Sequence, residues 1–210
     1  MDNTFLFYNL LYAARPLLFL IILLIIFRKN VIVRMVLLVL IGVIVFFFRN
    51  NLVVDETANA ILSPSSSLVK KTSIQNNKVY YLTYLSPLDR HFMVAPVNCT
   101  VIEIKDMLLE GDAERKTVVC RDVEGHIFEL HLIVKKPMEG IGVLGGWVPK
   151  VFYKNRVMLF CKVGDKLQKG KRIGLIRFGS NMEYYFPLSY NLHLKVEKHN
   201  QVGSVIGFVK

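Results

Sequence analysis

Histidine and cysteine are the residue types with the widest chemical scope here, and the chain has five of the first and three of the second. An imidazole exchanges protons near neutral pH, whereas thiolates bind metal ions or pair as disulfides. Cys99, Cys120 and Cys161 are odd in number and widely spaced, which argues against a disulfide framework and against a C-x-x-C metal site. We therefore expect the three cysteines to be small, buried, apolar side chains.

Apolar residues are concentrated near the N-terminus. They make up 53% of the chain against 20% charged residues, and the mean hydropathy is +0.40, which excludes a polar disordered chain. Leu17–Phe27 and Met35–Phe48 are two nearly unbroken apolar runs, with the basic residues Arg28 and Lys29 between them. This pattern predicts an α-helical membrane hairpin over residues 1–50, either spanning the bilayer or lying in one leaflet.

The charge balance is strongly basic. The net charge is +11, from 27 lysines and arginines against 16 acidic residues, which indicates an anionic partner. Basic residues beside a membrane segment gain about 1 kcal/mol each from an anionic leaflet. Basic stripes interleaved with aromatic residues are missing, so we expect no nucleic acid as a partner. We expect a membrane protein whose second domain lies at the surface of anionic lipid.

Residues 51–210 are predicted to form one all-β domain. β-branched and aromatic residues fall in short runs bounded by turn residues, which is typical of the strands of a sandwich or barrel. These runs are Lys78–Leu85, Thr100–Ile104, Lys116–Cys120, His126–Val134, Val157–Cys161, Arg172–Phe178, Met182–Phe186 and Leu192–Glu197. A glycine-rich stretch at 140–146 lacks the strand before and the helix after that a nucleotide loop needs.

A weak internal repeat has an offset of 33 residues. Lys162-Val163 matches Lys195-Val196, Gly170 matches Gly203, and Ile173-Gly174 matches Ile206-Gly207. The pattern V-G-D-x-L-x-x-G-x-x-I-G resembles the hammerhead turn of lipoyl- and biotinyl-type domains, and two copies predict a barrel-sandwich with pseudo-two-fold symmetry. The Met-Lys-Met attachment sequence is absent, so this resemblance concerns the scaffold alone.

Three strings, read in order, carry a second resemblance. The first is Phe46–Asn50 with Ala60–Ser67, similar to F-F-R-D-P and S-P-A-D-G. The second is Ser86–Val97, close to S-P-x-D-x-H-x-x-x-x-P-V, and the third is Gly170–Pro187, similar to G-x-x-x-G-x-I-x-F-G-S-R-V-D-x-x-x-P. In this order and spacing the strings resemble the short, membrane-anchored form of the phosphatidylserine decarboxylase family, from about residue 40 to the C-terminus.

The resemblance implies a proenzyme that cleaves itself between Gly179 and Ser180. The Ser180 hydroxyl would attack the Gly179 carbonyl, and β-elimination with hydrolysis would turn residue 180 into a pyruvoyl group, the covalent cofactor. Its carbonyl is the electron sink that decarboxylation of phosphatidylserine to phosphatidylethanolamine needs. The resemblance also implies that the two chains, 1–179 and 180–210, stay associated with each other, and it leaves open whether the protein is a homo-oligomer.

His91 is the candidate proton carrier. A lone histidine is usually a satisfied surface or core residue, but the string around His91 matches the family, and an imidazole can take the Ser180 proton and later protonate the substrate carbanion. Asp89 matches the Asp of the same string, which implies that it holds the local turn. The other four histidines match no motif and are expected to be structural.

One departure from the family pattern concerns the acid that supports the histidine. The Asp of S-P-A-D-G aligns with Ser66, whose neutral hydroxyl cannot stabilise an imidazolium as a carboxylate does. Asp89, Glu183 or another acid would then have to supply the missing charge. The main alternative is therefore an inactive homologue that serves as a membrane-anchored lipid-binding or structural protein. A zinc peptidase is a weaker alternative, because Asn191 replaces the first histidine of the H-x-H ending that it would need.

Overall fold

The structure is a computed structural model that describes residues 17–47, 52, 54–86, 89–109, 113–134, 157–176 and 180–209. The chain divides into two compact units, Met1–Asn51 and Leu52–Lys210. The glycine-rich stretch at 140–146 and residue Gly179 lie outside the described residues, as do residues 1–16 of the predicted hairpin.

The N-terminal unit contains two helices, α1 over residues 17–26 and α2 over Val31–Phe47. Asn30 caps α2: its side-chain oxygen accepts a hydrogen bond of 3.1 Å from the Val33 N–H, and this satisfies one of the donors that a helix start leaves open. Neither helix, within its described residues, has both the length and the hydropathy needed to cross a bilayer. The membrane-spanning form of the hairpin stays a prediction.

The second unit is built from strands, as predicted. The strands are β1 (Ala60–Leu62), β2 (Ser67–Gln75), β3 (Lys78–Leu85), β4 (Phe92–Val94), β5 (Cys99–Leu109), β6 (Ala113–Asp122), β7 (Ile127–Val134), β8 (Val157–Leu159), β9 (Lys166–Leu167), β10 (Arg172–Ile176), β11 (Ser180–Pro187), β12 (Tyr190–Leu192), β13 (His199–Asn200) and β14 (Val205–Val209). Eight of them form one sheet in the order β13-β2-β3-β11-β7-β6-β5-β9, and two three-stranded sheets, β4-β10-β8 and β1-β14-β12, complete the domain.

β11 lies near the middle of the large sheet, antiparallel to β3 on one side and to β7 on the other. Its sequence alternates as a half-buried strand should. Met182, Tyr184 and Phe186 are buried in the core, whereas Glu183 and Tyr185 are only partly buried on the other face. The same core contains Phe128, Leu130 and Leu132 of the neighbouring β7.

The predicted repeat extends through the whole domain. The strands β8, β9 and β10 begin at residues 157, 166 and 172, and β12, β13 and β14 begin 33 residues later, at 190, 199 and 205. Hydrogen bonds repeat as well: the Leu62 N–H donates to the Pro96 carbonyl at 2.9 Å, and the Val94 N–H donates to the Pro64 carbonyl at the same distance. Both copies of the pattern therefore occur in the structure, and backbone hydrogen bonds join the two.

The strand predicted at Leu192–Glu197 is wrong. β12 ends at Leu192, and the chain turns at Val196 and Glu197 before the short β13. The four residues from 195 to 198 are all exposed, so neither face of this segment could pack on a core. Glu197 has a φ of 61° where the matching position of the other copy is Gly164 with a φ of 91°. A glycine usually occupies such a left-handed position. Because Glu197 stands there instead, nothing in the sequence indicated a turn at residues 196 and 197.

Candidate active site

Two segments of the chain, residues 85–92 and residues 175–180, connect the large sheet to a small one and are paired at both ends. At one end Ser180 pairs with Leu85, and at the other end Leu175 pairs with Phe92. The Ile176 N–H also donates to the His91 carbonyl at 2.7 Å. The loop that bears His91 and the segment that leads to residue 180 are therefore fixed to each other at both ends.

The His91 ring is buried, with 3% of the residue exposed. Its Nδ1 atom lies 2.8 Å from the Asp89 carbonyl oxygen. Since a carbonyl oxygen can only accept, Nδ1 carries the hydrogen, and in the neutral ring Nε2 is then the nitrogen with the lone pair. This tautomer leaves His91 able to receive a proton at Nε2.

Asp89 holds the loop on which His91 lies. One carboxylate oxygen accepts the Ser86 N–H at 2.8 Å, and the Asp89 N–H donates to the Ser86 carbonyl at 2.9 Å. The other carboxylate oxygen is 2.7 Å from Nε2 of His199. The pairing with His199, a residue of β13, was not visible in the sequence because the two residues are 110 positions apart and His199 belongs to no motif.

The serine-rich turn that contains Ser66 is buried and connects to the C-terminal strands. Ser65 shares a short hydrogen bond with the hydroxyl of Tyr184, a side chain whose pKa is raised by burial. The Ser66 hydroxyl oxygen accepts the Val202 N–H at 3.1 Å. In the other copy of the repeat, Asn98 does the same for the Lys169 N–H at 2.8 Å. The structure thus gives Ser66 a turn-capping contact that a short polar side chain can supply without a charge.

Glu183, one of the two acids considered as a replacement for the missing carboxylate, lies on the outer face of β11. It pairs with Arg115 through a short contact, and the Tyr80 hydroxyl donates to it at 3.2 Å. Burial and the Glu183 charge raise the pKa of Tyr80 to about 12. Burial, aided by the Arg115 charge, lowers the pKa of the nearby His131. The charge of Glu183 is therefore already neutralised on the face opposite the core.

Asp122, Glu124 and His126 form the one group in the described part of the chain whose ligand atoms are close enough to share a metal ion. The Asp122 carboxylate, however, already accepts hydrogen bonds from the backbone N–H groups of Glu124 and His126, and from the Tyr190 hydroxyl at 2.8 Å. Burial raises the pKa of Asp122, but the hydrogen bonds from Tyr190 and His126 outweigh burial and leave the pKa below its ordinary 3.8. We interpret the group as the cap of the β6–β7 turn.

This cap predicts an acid-dependent stability. A carboxylate with a lowered pKa stabilises the fold above its ordinary pKa, and the contribution is lost as the pH falls through the lowered value. Asp122→Asn should therefore lower the free energy of unfolding by about 1–3 kcal/mol at pH 7, and the difference should shrink below about pH 3.8. Urea unfolding from pH 7 to pH 2 measures it, with the exposed Glu124→Gln as the control. A difference that stays constant over this range would contradict the assignment.

The three cysteines are free thiols, with Cys99 and Cys120 buried and Cys161 partly buried. A hydrogen bond to Cys99 together with burial raises the pKa of Cys120, and burial raises the pKa of Cys161 to about 12. Thiols with raised pKa values are poor nucleophiles and poor metal ligands. The structure agrees with the expectation that these residues are packing elements.

Comparisons with known proteins agree with the resemblance. A family model described as phosphatidylserine decarboxylase matches residues 149–208. A phosphatidylserine decarboxylase proenzyme of Geotalea uraniireducens is 26% identical over 70% of this chain and 70% of its own length. A putative archaetidylserine decarboxylase proenzyme of Methanocaldococcus jannaschii is 30% identical over 60% of this chain and 58% of its own length. A phosphatidylserine decarboxylase proenzyme of Mycolicibacterium smegmatis is 33% identical over 50% of this chain and 42% of its own length.

The chain thus spans between about two fifths and seven tenths of the length of these three relatives. No solved structure matches it. The matched segment 149–208 contains the strands β8 to β13 and nearly all of β14, and with them the start of β11 at residue 180. The proteins that this chain resembles form one class, the decarboxylases of the carboxy-lyase type. More narrowly, residues 149–208 match the phosphatidylserine decarboxylase family model, and the relatives are named as proenzymes of phosphatidylserine or archaetidylserine decarboxylase.

Proposed function

We propose that this protein cleaves itself between Gly179 and Ser180 and then decarboxylates phosphatidylserine to phosphatidylethanolamine. The observation that carries the proposal is the paired arrangement of the two segments: Ser180 lies opposite Leu85, and the Ile176 N–H binds the His91 carbonyl. A buried imidazole with its hydrogen on Nδ1 and a strand that begins at a serine are thereby held in one region of the domain.

His91 is the residue that would move protons. With its Nδ1–H held by the Asp89 carbonyl, Nε2 can take the proton of the Ser180 hydroxyl as the oxygen attacks the Gly179 carbonyl carbon. The amide becomes an ester, elimination releases the Gly179 carboxylate, and hydrolysis of the dehydroalanine at position 180 releases ammonia. The pyruvoyl group left at residue 180 supplies the electron sink for decarboxylation. The arrangement suits this group because residue 180 begins a strand that is held by its neighbours.

The cleaved C-terminal chain would remain in the domain. Residues 180–210 contain β11 to β14. β11 pairs with strands on both sides, β13 pairs with β2, and β14 pairs with β1. All of these partners belong to residues 1–179. Since backbone hydrogen bonds and buried side chains hold each strand independently of the bond at 179–180, we propose that the two chains function as one unit.

We also propose that the N-terminal helices attach the protein to a membrane. Their side chains are apolar and largely exposed, among them Ile25 at 63%, Ile32 at 78% and Val39 at 63%. An exposed apolar surface of this kind favours lipid over water. The basic charge of the chain adds an attraction to anionic lipid, so the proposed location is the surface of a membrane that contains the anionic substrate.

The test is to purify the full chain, incubate it with vesicles of phosphatidylserine, and measure both the intact mass and carbon dioxide release. We expect a fragment of residues 180–210 whose first residue reacts with a carbonyl reagent, and phosphatidylethanolamine as the product. Ser180→Ala is the control and should remain one chain of 24.1 kDa. An archaeal ether lipid with the same serine head group, used in parallel, tests the lipid backbone. A wild-type chain that stays whole and releases no carbon dioxide would favour the inactive homologue, which the names of the relatives do not support.

A further inference from the structure

Among the described residues, the His199–Asp89 pair is a short polar contact of the His91 loop that the family motifs do not include. Nε2 of His199 lies 2.7 Å from Oδ1 of Asp89. The Asp89 side chain is about 10% exposed and that of His199 about 45% exposed. A hydrogen bond to a carboxylate is stronger and more directional than one between neutral groups. The pair therefore fixes the orientation of the Asp89 carboxylate.

Asp89 transmits this contact to His91 through three further bonds. Its second carboxylate oxygen accepts the Ser86 N–H, its own N–H donates to the Ser86 carbonyl, and its carbonyl accepts Nδ1–H of His91. A movement of the Asp89 side chain would thus shift the acceptor that selects the His91 tautomer. The three bonds that hold the ring and the loop all involve Asp89, and His199 holds that residue from outside the loop.

His199 reaches Asp89 from a different part of the chain. It belongs to β13, which pairs with β2 at Leu68 and Ser67. In the proposed processed protein, His199 belongs to the chain 180–210, whereas Asp89 and His91 belong to the chain 1–179. The pair then joins the chain that begins at residue 180 to the loop that carries the proton-transfer group.

We propose that His199 is a positioning residue for His91, acting through the carboxylate of Asp89. The proposal rests on the proposed function and deepens it, because it assigns a role to a histidine outside the family motifs. His199 does not touch the reacting atoms in this assignment. It keeps the Asp89 carbonyl in place, so that His91 presents Nε2 and holds its hydrogen on Nδ1.

The first arm of the test measures the rate of self-cleavage in the full chain by quantifying the 180–210 fragment over time. His199→Leu removes the donor and should slow cleavage by about 10-fold or more, the effect expected for a hydrogen bond to a charged group. His199→Gln places an amide donor near the position of Nε2 and should restore the rate to within about 3-fold. His193→Leu is the matched control, because His193 is an exposed histidine of the same chain segment with an edge contact to Phe208, and it should leave the rate unchanged.

A double variant separates this route from a general loss of structure. If His199 acts only through Asp89, adding His199→Leu to Asp89→Asn should slow cleavage no further than Asp89→Asn alone. A wild-type rate in His199→Leu, or equal slowing in the Leu and Gln variants, would overturn the proposal. Additive slowing in the double variant would overturn it as well.

The second arm does not depend on activity. In the full chain with Ser180→Ala, nitrogen-15 NMR of the imidazoles should show His91 with its hydrogen on Nδ1, and His199→Leu should mix the two tautomers while His199→Gln should not. If the wild-type chain never cleaves, the proposed function fails and this arm alone decides the role of His199. An unchanged His91 tautomer in the folded His199→Leu protein would refute the role.

Discussion

Replacing His91 with glutamine is expected to stop self-cleavage almost completely. A glutamine amide can still donate a hydrogen bond toward the Asp89 carbonyl, but it cannot accept a proton from a serine hydroxyl. General base catalysis contributes about 10²–10⁴-fold to a rate, so the fragment 180–210 should form at least about 100-fold more slowly than in the wild-type chain. The measurement is a time course of intact mass after synthesis of the full chain.

Two comparisons make this result specific to His91. His193→Gln changes an exposed histidine outside the site and should cleave at the wild-type rate. Circular dichroism should show the same strand content in both variants, because His91 is small and its backbone bonds do not depend on the ring. Cleavage of a folded His91→Gln chain at the wild-type rate would assign proton transfer to another group.

Truncating Phe186 is expected to cause the largest loss of stability in the C-terminal segment. Phe186 is fully buried, and its ring centroid lies about 6 Å from those of Phe128, Tyr184 and Tyr190. Phe186→Ala should reduce the free energy of unfolding by about 3–5 kcal/mol, through lost transfer energy and a residual cavity. The Ser180→Ala background keeps the chain whole, so that urea unfolding or pulse proteolysis reports one molecule.

The control for this prediction is Leu188→Ala, one position beyond the end of β11. Leu188 is 45% exposed, and its truncation should change stability by no more than about 0.5 kcal/mol. In the wild-type background, Phe186→Ala should also release the 180–210 fragment at a lower urea concentration than Leu188→Ala does. Equal stability of the two variants would mean that β11 is not held by the aromatic core.

The sequence predicted the strands well where a run of side chains faces a core. The prediction at Lys78–Leu85 coincides with β3, and Met182–Phe186 lies within β11. In β11 the alternation records burial directly, because every second side chain from Met182 to Phe186 is buried. The segment Leu192–Glu197 has similar residue types, but beyond Leu194 its side chains are exposed, and its left-handed turn uses Glu197 instead of a glycine. Residue type alone could not distinguish these two cases.

The residues of the candidate site also fall into two groups, those that a local sequence pattern identifies and those that only the structure connects. Ser180 and His91 were found because their neighbours in sequence carry the family strings. The contacts of Asp89 with His199 and of Ser66 with Val202 join residues more than 100 positions apart, and no local pattern encodes such a pairing. The sequence identified Ser66 as a departure from the family pattern, but only the structure showed that the position has a turn-capping contact and a counterpart at Asn98.

The internal repeat bears on the proposed cleavage between residues 179 and 180. β6 and β7 are neighbours in the large sheet and are joined by the short turn at Asp122–His126. The large sheet reads β13-β2-β3-β11 from one edge and β9-β5-β6-β7 from the other, so β3 and β11 correspond to β6 and β7. β3 and β11 are neighbours too, yet they are separated in sequence by β4 to β10. The stretch of chain that contains β4 to β10 is followed by β11, which begins at residue 180. A break at that point removes a covalent link between the copies and no strand pairing, so residue 180, as the first residue of the new chain, would lie at the start of a strand whose register is already set by both neighbours.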